Sequence, residues 1–403
     1  MEFEKPMRRA SLLVLFLTVF IDLIGFGMVI PFLSFYAREY GASGMAVGAV
    51  VGVYSIMQFF FAPIWGRISD RVGRRPVLLV SLTASITGYL LFAFSRSLAL
   101  LFMSRVIAGI GGANIGTAQA YIADSTSPEN RAKGMGLIGA AFGLGFILGP
   151  PLSGILAAVG TKHGLHGNLL PGLVAAGLSF TAFLVALAVL AESKSPMIVP
   201  RSGVPPQFDV RLWRYVFSTR ILGALLAGLF LTLLAVSGME INVTLHGRDR
   251  FHFRQLDMAY LFLFMGVIVA GIQGGLIGRL VKRLGERRVI IIGAACFMIG
   301  FFLIPSIWQL PLLYVVAFFI AIGQGLCYPA LTSLVSRESP ESERGSILGL
   351  ATSAGSLARF LGPLVAGVLY DFAGAAGGFY GGGVFMAIAL LIAFRMNTNT
   401  TVR

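Results

Sequence analysis

The stretch GRISDRVGRRP (66–76) places four arginines and one aspartate between two long apolar segments. The chain around it is 57% hydrophobic and 12% charged. Soluble domains carry about 25% charged residues, so this composition excludes an ordinary soluble protein. The apolar segments on either side approach the roughly 20 residues that a helix needs to cross hydrocarbon. The charged stretch is therefore predicted to be a turn at a membrane surface, between two spanning helices.

Apolar segments of this length recur along the whole chain. Because lipid offers no water to the backbone, each segment is predicted to be a helix that pairs its own polar groups. The predicted fold class is an all-α integral membrane protein with twelve transmembrane helices in two pseudo-symmetric six-helix bundles. The helices are predicted at 11–34, 45–65, 77–95, 98–121, 134–158, 169–190, 218–240, 256–278, 288–307, 310–333, 346–370 and 377–395.

The charged turn recurs in the second half as GRLVKRLGERR (278–288). A second pair of segments, 130–154 and 343–367, shares nine identities over twenty-five residues at an offset of 213. Two matches in the same order indicate a duplicated six-helix unit. We predict an N-terminal bundle (1–190), a cytoplasmic linker (191–217) and a C-terminal bundle (218–403). Such repeats are typical of secondary transporters, with the substrate site between the halves.

Lysine and arginine are spread unevenly over the two predicted membrane sides. If the N-terminus is cytoplasmic, 23 of the 31 Lys and Arg residues fall in cytoplasmic segments and 6 on the opposite side. This bias is the positive-inside rule, and an even number of helices then places both termini in the cytoplasm. The basic charge thus orients a multi-pass protein in the cell (inner) membrane, and we expect no nucleic-acid partner.

Three charged side chains, Asp22, Arg105 and Arg359, fall deep within predicted helices, where a charge near the bilayer centre costs roughly 2.5–3.5 kcal/mol. Asp22 is the one acid deep in a helix, and we interpret it with Arg105 as the proton-coupling pair. An apolar cavity favours a neutral carboxyl and a nearby cation favours the charged form, so alternation between them would move protons. A permanent structural pair of the same residues is the alternative. Arg359 could bind an anionic group or pair with a helix end.

Other polar residues in or near the helices are candidates for a substrate cavity, although each could instead form a packing hydrogen bond. This set, with Arg359, consists of Asn114, Gln119, Glu240, Gln273 and Gln324. Within the charged turn, Gly66 permits close helix approach and Gly73 permits a positive φ. Asp70 can pair with an arginine or a helix N-terminus, or simply dilute the positive charge of an orientation loop.

Several motifs resemble those of the major facilitator superfamily. GRISDRVGRR resembles its loop signature, LFMSRVIAGIGGAN (101–114) its helix 4 signature, and GLGFILGPPLSG (143–154) the helix 5 signature of drug:proton antiporters. FIDLIGFGMVIPFL (20–33) and ADSTSPENRAKG (123–134) are most similar to the twelve-helix group that includes tetracycline exporters.

This resemblance implies the major facilitator fold and assigns roles to matching residues. The cytoplasmic gate would comprise Gly66, Asp70, Arg71, Gly73, Arg74, Arg75, Asp124 and Arg131. Asp70 would latch to Arg131 and to the start of helix 11 in the outward-open state. The small residues of helix 5 would lie at the seam between the bundles and limit proton leak; they are Gly145, Gly149, Pro150 and Gly154.

The chain departs from the tetracycline exporters at three intramembrane positions. Where those proteins carry an acid, a histidine and an acid, this sequence has Gly88, Val269 and Phe297. The four histidines are predicted to lie in outer loops. Because tetracycline is exported as a metal chelate, export of lipophilic or amphipathic compounds fits this reduced set of ligands better.

We therefore predict a proton-coupled exporter of small amphipathic or lipophilic compounds, such as drugs, that works by alternating access. A lipid or metabolite exporter of the same fold, or an uncoupled facilitator, is the alternative. We see no nucleophile–base or metal-ligand cluster, so we expect neither an enzyme nor a bound metal or cofactor. The expected partners are the small-molecule substrate, protons and the lipid bilayer, with the protein as a monomer.

Overall fold

The computed structural model describes residues 9–126, 128–193 and 204–396. In these ranges the chain is helical almost throughout and contains no strand, which confirms the predicted all-α class. The α-helices are α1 (Arg9–Glu39), α2 (Gly44–Val72), α3 (Arg74–Ala93), α4 (Leu98–Gly111), α5 (Ile115–Ser125), α6 (Pro128–Lys162), α7 (Leu169–Val189), α8 (Val210–Ser218), α9 (Arg220–Phe251), α10 (Gln255–Gly271), α11 (Ile277–Leu284), α12 (Glu286–Leu303), α13 (Leu310–Glu338) and α14 (Arg344–Arg395).

Among the described residues, ten helical spans are long and apolar enough to cross a membrane, or eleven with α1, whose two parts are bent by 43°. Twelve were predicted, and the length of α14 explains the difference. Its 52 residues would reach about 78 Å at 1.5 Å per residue, more than twice the hydrocarbon thickness. Ala373 and Gly374 interrupt it with non-helical dihedral angles. The last two predicted helices therefore correspond to the two parts of α14.

By its internal contacts the chain divides into two compact units. The N-unit comprises Met1–Ile30 and Met57–Ser202, and the C-unit comprises Pro31–Ile56 and Gly203–Arg403. The end of α1 and the start of α2 thus pack with the C-terminal half of the sequence. The predicted bundle boundaries and linker stay predictions.

Glycines let α2 and α14 approach closely within the C-unit. A Cβ added to Gly48 would lie 2.3 Å from the carbonyl oxygen of Pro363, and one added to Gly367 would meet the carbonyl of Gly44. The carboxylate of Asp371 accepts hydrogen bonds from the backbone N–H groups of Gly44 (2.6 Å) and Met45 (2.9 Å). An acid at a helix N-terminus satisfies free N–H groups there, so Asp371 anchors the start of α2.

A 3₁₀ turn at Gly112–Asn114 separates α4 from α5 within one apolar span. Such a break weakens backbone pairing at membrane depth, where unpaired carbonyls are costly. Neighbouring side chains satisfy three carbonyls around the turn. The carbonyls of Ile110, Gly111 and Gly112 accept from Trp65 (2.7 Å), Ser81 (2.7 Å) and Gln58 (2.9 Å), respectively. The packing of α2 and α3 therefore supports the irregular backbone.

The outer end of α9 extends well beyond the predicted helix end at 240. The helix continues to Phe251 and ends at His252, which adopts a left-handed conformation with φ 54°. The prediction that all four histidines lie in outer loops was therefore wrong for His246, which is inside α9 and 5% exposed. Its ring contacts Phe251 and Phe379 with centroids 5.7 and 5.4 Å apart. The polar composition of this segment indicated a loop, but the structure shows that tertiary packing buries it within α9.

Candidate functional site

Asp22 lies within the first part of α1, and its side chain is half-buried. Its carboxylate meets the hydroxyl of Ser85 on α3. The Oδ1 atom has no hydrogen-bond partner among the described residues. The hydroxyl of Tyr89 donates to the backbone carbonyl of Asp22 at 3.2 Å. A carboxylate in this setting lacks the full set of donors that would hold it permanently charged.

Arg105 on α4 is 2% exposed and is among the largest fully buried side chains. Its guanidinium carbon lies 5.5 Å from the ring centroid of Phe92 and 6.0 Å from that of Tyr89. Its Nε donates to the hydroxyl of Ser104 at 3.2 Å. Cation–π contacts of this kind stabilise a cation that has been removed from water.

Tyr89 thus contacts both sequence-predicted coupling residues, Asp22 through its hydroxyl and Arg105 through its ring. In the part of the chain that the structure describes, Asp22 and Arg105 do not form a direct ion pair. The geometry of this state therefore differs from the permanent Asp22–Arg105 pair that was the alternative interpretation.

The cytoplasmic turn is organised around Arg74, whose side chain is 9% exposed. Its Nη1 lies 2.7 Å from Asp70 Oδ1, and its Nε lies 3.1 Å from Asp124 Oδ2. Nη1 also donates to the hydroxyl of Ser69 at 2.7 Å. Three of the predicted gate residues are therefore in one ion-pair network. The side chain of Arg131, the latch partner implied by resemblance, lies outside the described residues.

Glu192, which follows α7, also contacts this cytoplasmic turn. Its carboxylate accepts from the backbone N–H groups of Arg74 (2.8 Å) and Arg75 (3.1 Å) at the start of α3. Gly73 has φ 103°, and a Cβ added there would lie 2.4 Å from Glu192 Oε2. Both the positive φ and the close approach of the carboxylate require glycine at this position. Gly66 is half-buried with open space above its Cα, and Arg71 is exposed.

The second copy of the turn reproduces part of this arrangement. Gly285 also has a positive φ, 78°. In the N-unit, Arg75 donates to the carbonyl of Leu187 at the end of α7 (2.6 Å). Arg287, 212 positions later, donates to the carbonyls of Ala393 (3.1 Å) and Phe394 (2.5 Å) at the end of α14. An arginine therefore caps the C-terminus of the last helix in each repeat, as the helix dipole favours.

The helix 5 glycines pack α6 against α1 within the N-unit. A Cβ added to Gly145 would lie 2.9 Å from Leu23, and one added to Gly149 would lie 2.5 Å from the backbone of Gly27. Pro150 and Gly154 continue this segment of α6 and are buried. These residues position the α1 segment that carries Asp22.

Glu240 on α9 and Arg359 on α14 come together in the C-unit. Each is half-buried, and the two groups interact electrostatically. Arg359 Nη2 donates to the hydroxyl of Ser356 at 3.0 Å. Arg359 lies fifteen residues beyond the start of α14, so it does not pair with that helix's own end.

The remaining cavity candidates occupy different settings. Asn114 is buried, and its amide donates to the hydroxyl of Ser81. Gln119 is exposed on α5, and Gln324 is half-buried on α13. Gln273 is exposed within a π-helical segment, Ile272–Leu276, between α10 and α11. Asn114 and Gln119 belong to the N-unit, whereas Gln273, Gln324 and Arg359 belong to the C-unit.

Three residues of these sites were not predicted from the sequence: Ser85, Tyr89 and Glu192. Ser85 and Tyr89 are ordinary residues in an apolar helix, and nothing in their spacing points to Asp22. Glu192 had a weak signal, since it is the first acid after the sixth predicted helix. No group of three His, Cys, Asp or Glu side chains suited to a metal occurs among the described residues.

Comparison with known proteins agrees with the motifs. The family model described as Major Facilitator Superfamily matches residues 15–277 and 271–402. The class C tetracycline resistance protein of Escherichia coli is 32% identical over 367 residues, covering 89% of each chain. The class G protein of Vibrio anguillarum is 32% identical over 389 residues, covering 95% of each chain.

Solved transporter structures share the fold. The human organic anion transporter MFSD10 (TETRAN) is 27% identical with a TM-score of 0.71, covering 96% of this chain and 100% of that one. A bacterial homologue of the lysosomal transporter Spinster is 15% identical with a TM-score of 0.78, covering 97% of both chains. These relatives are transporters rather than enzymes. Because the family model matches nearly the whole length of the chain, the chain belongs to the Major Facilitator Superfamily.

Proposed function

We propose that this chain is a proton-coupled antiporter that exports small amphipathic or lipophilic compounds by alternating access. Its membership of a transporter family with tetracycline-efflux relatives supports drug export. We further propose an inner-membrane location with both termini cytoplasmic, because Lys and Arg are concentrated on one predicted side. A small-molecule substrate and protons would then be the partners of the monomer.

The observation that carries the proton-coupling proposal is the setting of Asp22. It is an acid in an apolar helix, half-exposed, with Oδ1 unsatisfied among the described residues. An acid held in a fixed ion pair could not alternate between protonated and charged forms at low cost, whereas this one can gain or lose a proton as its surroundings change. Arg105, joined to it through Tyr89, supplies a positive charge whose distance would change with conformation.

Two of the departures from the tetracycline-exporter pattern are explained by packing. A Cβ added to Gly88 would lie 2.9 Å from Ala108, so an acid does not fit there. Phe297 is fully buried and contacts the Gly323 turn of α13, where an added Cβ would lie 2.5 Å from its ring. These positions serve helix packing, so we propose lipophilic or amphipathic substrates in preference to a tetracycline–metal chelate.

The test is proton movement in liposomes that contain the reconstituted protein and an interior pH dye. A substrate gradient is imposed with lipophilic cations, neutral drugs and tetracycline in turn, for wild type, Asp22→Asn and an exposed-acid control, Glu341→Gln. Substrate-dependent proton movement in wild type and in the control, lost in Asp22→Asn, is the expected result. Coupling that persists unchanged in Asp22→Asn would remove Asp22 from the mechanism.

The alternative functions give different outcomes in the same vesicles. Substrate movement without proton movement in wild type would indicate an uncoupled facilitator. No movement of any drug, together with transfer of a labelled lipid, would indicate a lipid exporter of the same fold.

A further inference from the structure

Arg359 lies within electrostatic range of polar side chains on three other helices of the C-unit. Arg359 on α14 interacts electrostatically with Glu240 on α9, Tyr328 on α13 and Tyr54 on α2. All four are at least partly exposed, and Tyr328 is 43% exposed. Because the guanidinium interacts with groups on three other helices, it lies on the side of α14 that faces those helices, and part of its surface is accessible. A charged pair with accessible surface at this depth indicates a functional site.

Backbone packing holds the two charges near each other. A Cβ added to Gly238 on α9 would lie 3.0 Å from the carbonyl oxygen of Gly362 on α14. The hydroxyl of Ser237, which is next to Gly238, donates to the carbonyl of Ala358 at 3.3 Å, one turn before Gly362 on α14. Glu240 lies two residues after Gly238, and Arg359 lies between Ala358 and Gly362. Their proximity is therefore set by glycine-mediated helix contact, independently of any attraction between the charges.

The two charges nevertheless do not neutralise each other by direct contact. Within the described ranges, no ion pair joins Glu240 to Arg359. Arg359 Nη2 donates to Ser356, and a Cβ added to Gly355 would lie 3.4 Å from Nη1. Gly355 therefore adds no side chain of its own beside Nη1. A guanidinium has five N–H donors, so most of its capacity is available to a ligand.

We propose that Glu240 and Arg359 form the binding site for a zwitterionic amphipathic compound. Arg359 takes the carboxylate, Glu240 takes the ammonium group, and Tyr54 and Tyr328 contact the apolar body. A guanidinium matches a carboxylate in a two-point contact, and tyrosine offers an apolar ring with a polar tip. A zwitterion satisfies both partly buried charges without adding net charge inside the membrane, whereas a singly charged ligand leaves one of them unmatched. This inference rests on the proposed function, because it names the substrate class of the exporter.

The test is equilibrium binding to the purified full chain in nanodiscs, read by fluorescence. Three probes with the same body are compared: Nε-dansyl-lysine (zwitterion), its methyl ester (cation) and its Nα-acetyl derivative (anion). We expect wild type to bind the zwitterion at least about tenfold tighter than either derivative, as one lost charge-assisted contact implies.

Single variants test which residue binds the carboxylate of the ligand and which binds its ammonium group. Arg359→Gln should abolish the preference for the zwitterion over the ester, and Glu240→Gln should abolish the preference over the acetyl derivative. The double variant, which carries no unmatched charge, should bind all three probes alike. Arg359→Lys should recover part of the preference over the ester, and the exposed control Arg211→Gln should retain both preferences.

Two outcomes would overturn the proposal: equal binding of the three probes by wild type, or loss of all three by the same factor in each single variant. The second result would indicate general damage to the cavity. The binding assay also separates this inference from the proposed function. Zwitterion preference without proton movement in liposomes would refute antiport alone, whereas Asp22-dependent proton movement without zwitterion preference would refute the binding site alone.

Discussion

Arg337 Nη1 lies 2.6 Å from Glu286 Oε1, and this ion pair repeats the Arg74–Asp124 contact (3.1 Å) with the charges exchanged. Positions 74 and 286 correspond at an offset of 212, and positions 124 and 337 at 213, which are the offsets of the internal repeat. The two halves therefore keep the same ion pair between helices, but the acidic and basic residues have exchanged helices.

The same reversal extends to a third position. Asp70 pairs with Arg74 in the first copy, and the corresponding residue of the second copy is Lys282. An acid at 70 thus has a structural partner in addition to its proposed role at the gate. Lys282 is the charge-reversed equivalent of Asp70 in the second copy.

Replacement of Arg74 should destabilise the cytoplasmic turn. Arg74→Gln leaves Asp70 and Asp124 without their shared cation, and we expect a loss of about 2 kcal/mol, because hydrogen bonds to charged groups contribute about 1.5–3 kcal/mol each and these carboxylates are partly exposed. Thermal unfolding of the protein in nanodiscs measures the loss. The triple variant Asp70→Lys, Arg74→Glu, Asp124→Arg, which copies the second half, should recover most of it. A triple variant as unstable as the single one would contradict the sign-reversal interpretation.

Glu192 should stabilise the start of α3. Glu192→Gln weakens two charge-assisted bonds to backbone N–H groups, and we expect a loss of about 1 kcal/mol, as for other helix caps. Glu343→Gln is the matched control, because Glu343 precedes α14 without a side-chain capping bond. Equal unfolding temperatures for the two variants would show that the Glu192 contacts contribute nothing.

Gly48 should be required for the contact between α2 and α14. In Gly48→Ala the new methyl group meets the backbone of Pro363 at 2.3 Å, which cannot move aside as a side chain can, so we expect a loss of about 1–3 kcal/mol. Gly177→Ala on α7 is the control, since nothing lies within 4 Å of its added Cβ. That variant should be as stable as wild type or slightly more stable. Similar losses in both variants would indicate a general helix effect instead of a local clash.

Asp70 should affect conformational cycling more than substrate binding. Asp70→Asn removes the charge that contacts Arg74 at the proposed gate and changes none of the residues proposed to bind substrate, which belong to the C-unit. We expect a lower maximal transport rate with nearly unchanged substrate affinity, measured by transport in liposomes and by equilibrium binding. A large loss of affinity at a normal turnover rate would exclude the gating role.

The sequence predicts the charged residues of the site, but it does not predict the polar residues that surround Asp22. Charges such as Asp22, Arg105 and Arg359 stand out because a charge in an apolar helix is costly and seldom present without a role. Ser85 and Tyr89, which define the surroundings of Asp22, do not stand out, because serine and tyrosine are unremarkable in such a helix. Their importance depends on which helix faces they occupy after packing, and periodicity in these uniformly apolar segments does not reveal a face.

The membrane class, the duplicated halves and the position of the charged turns follow from the amino-acid sequence, since hydrophobic length, internal identity and clustered arginines can be read along the chain without knowledge of packing. The sequence did not determine the end of α9, the burial of His246, the capping of α2 by Asp371 or the meeting of Glu240 with Arg359. The last two depend on segments far apart in the sequence, and glycines let α14 approach α2 and α9 closely. The free energy that selects these arrangements comes from packing and from satisfying polar groups between helices, and only the tertiary structure shows which groups those are.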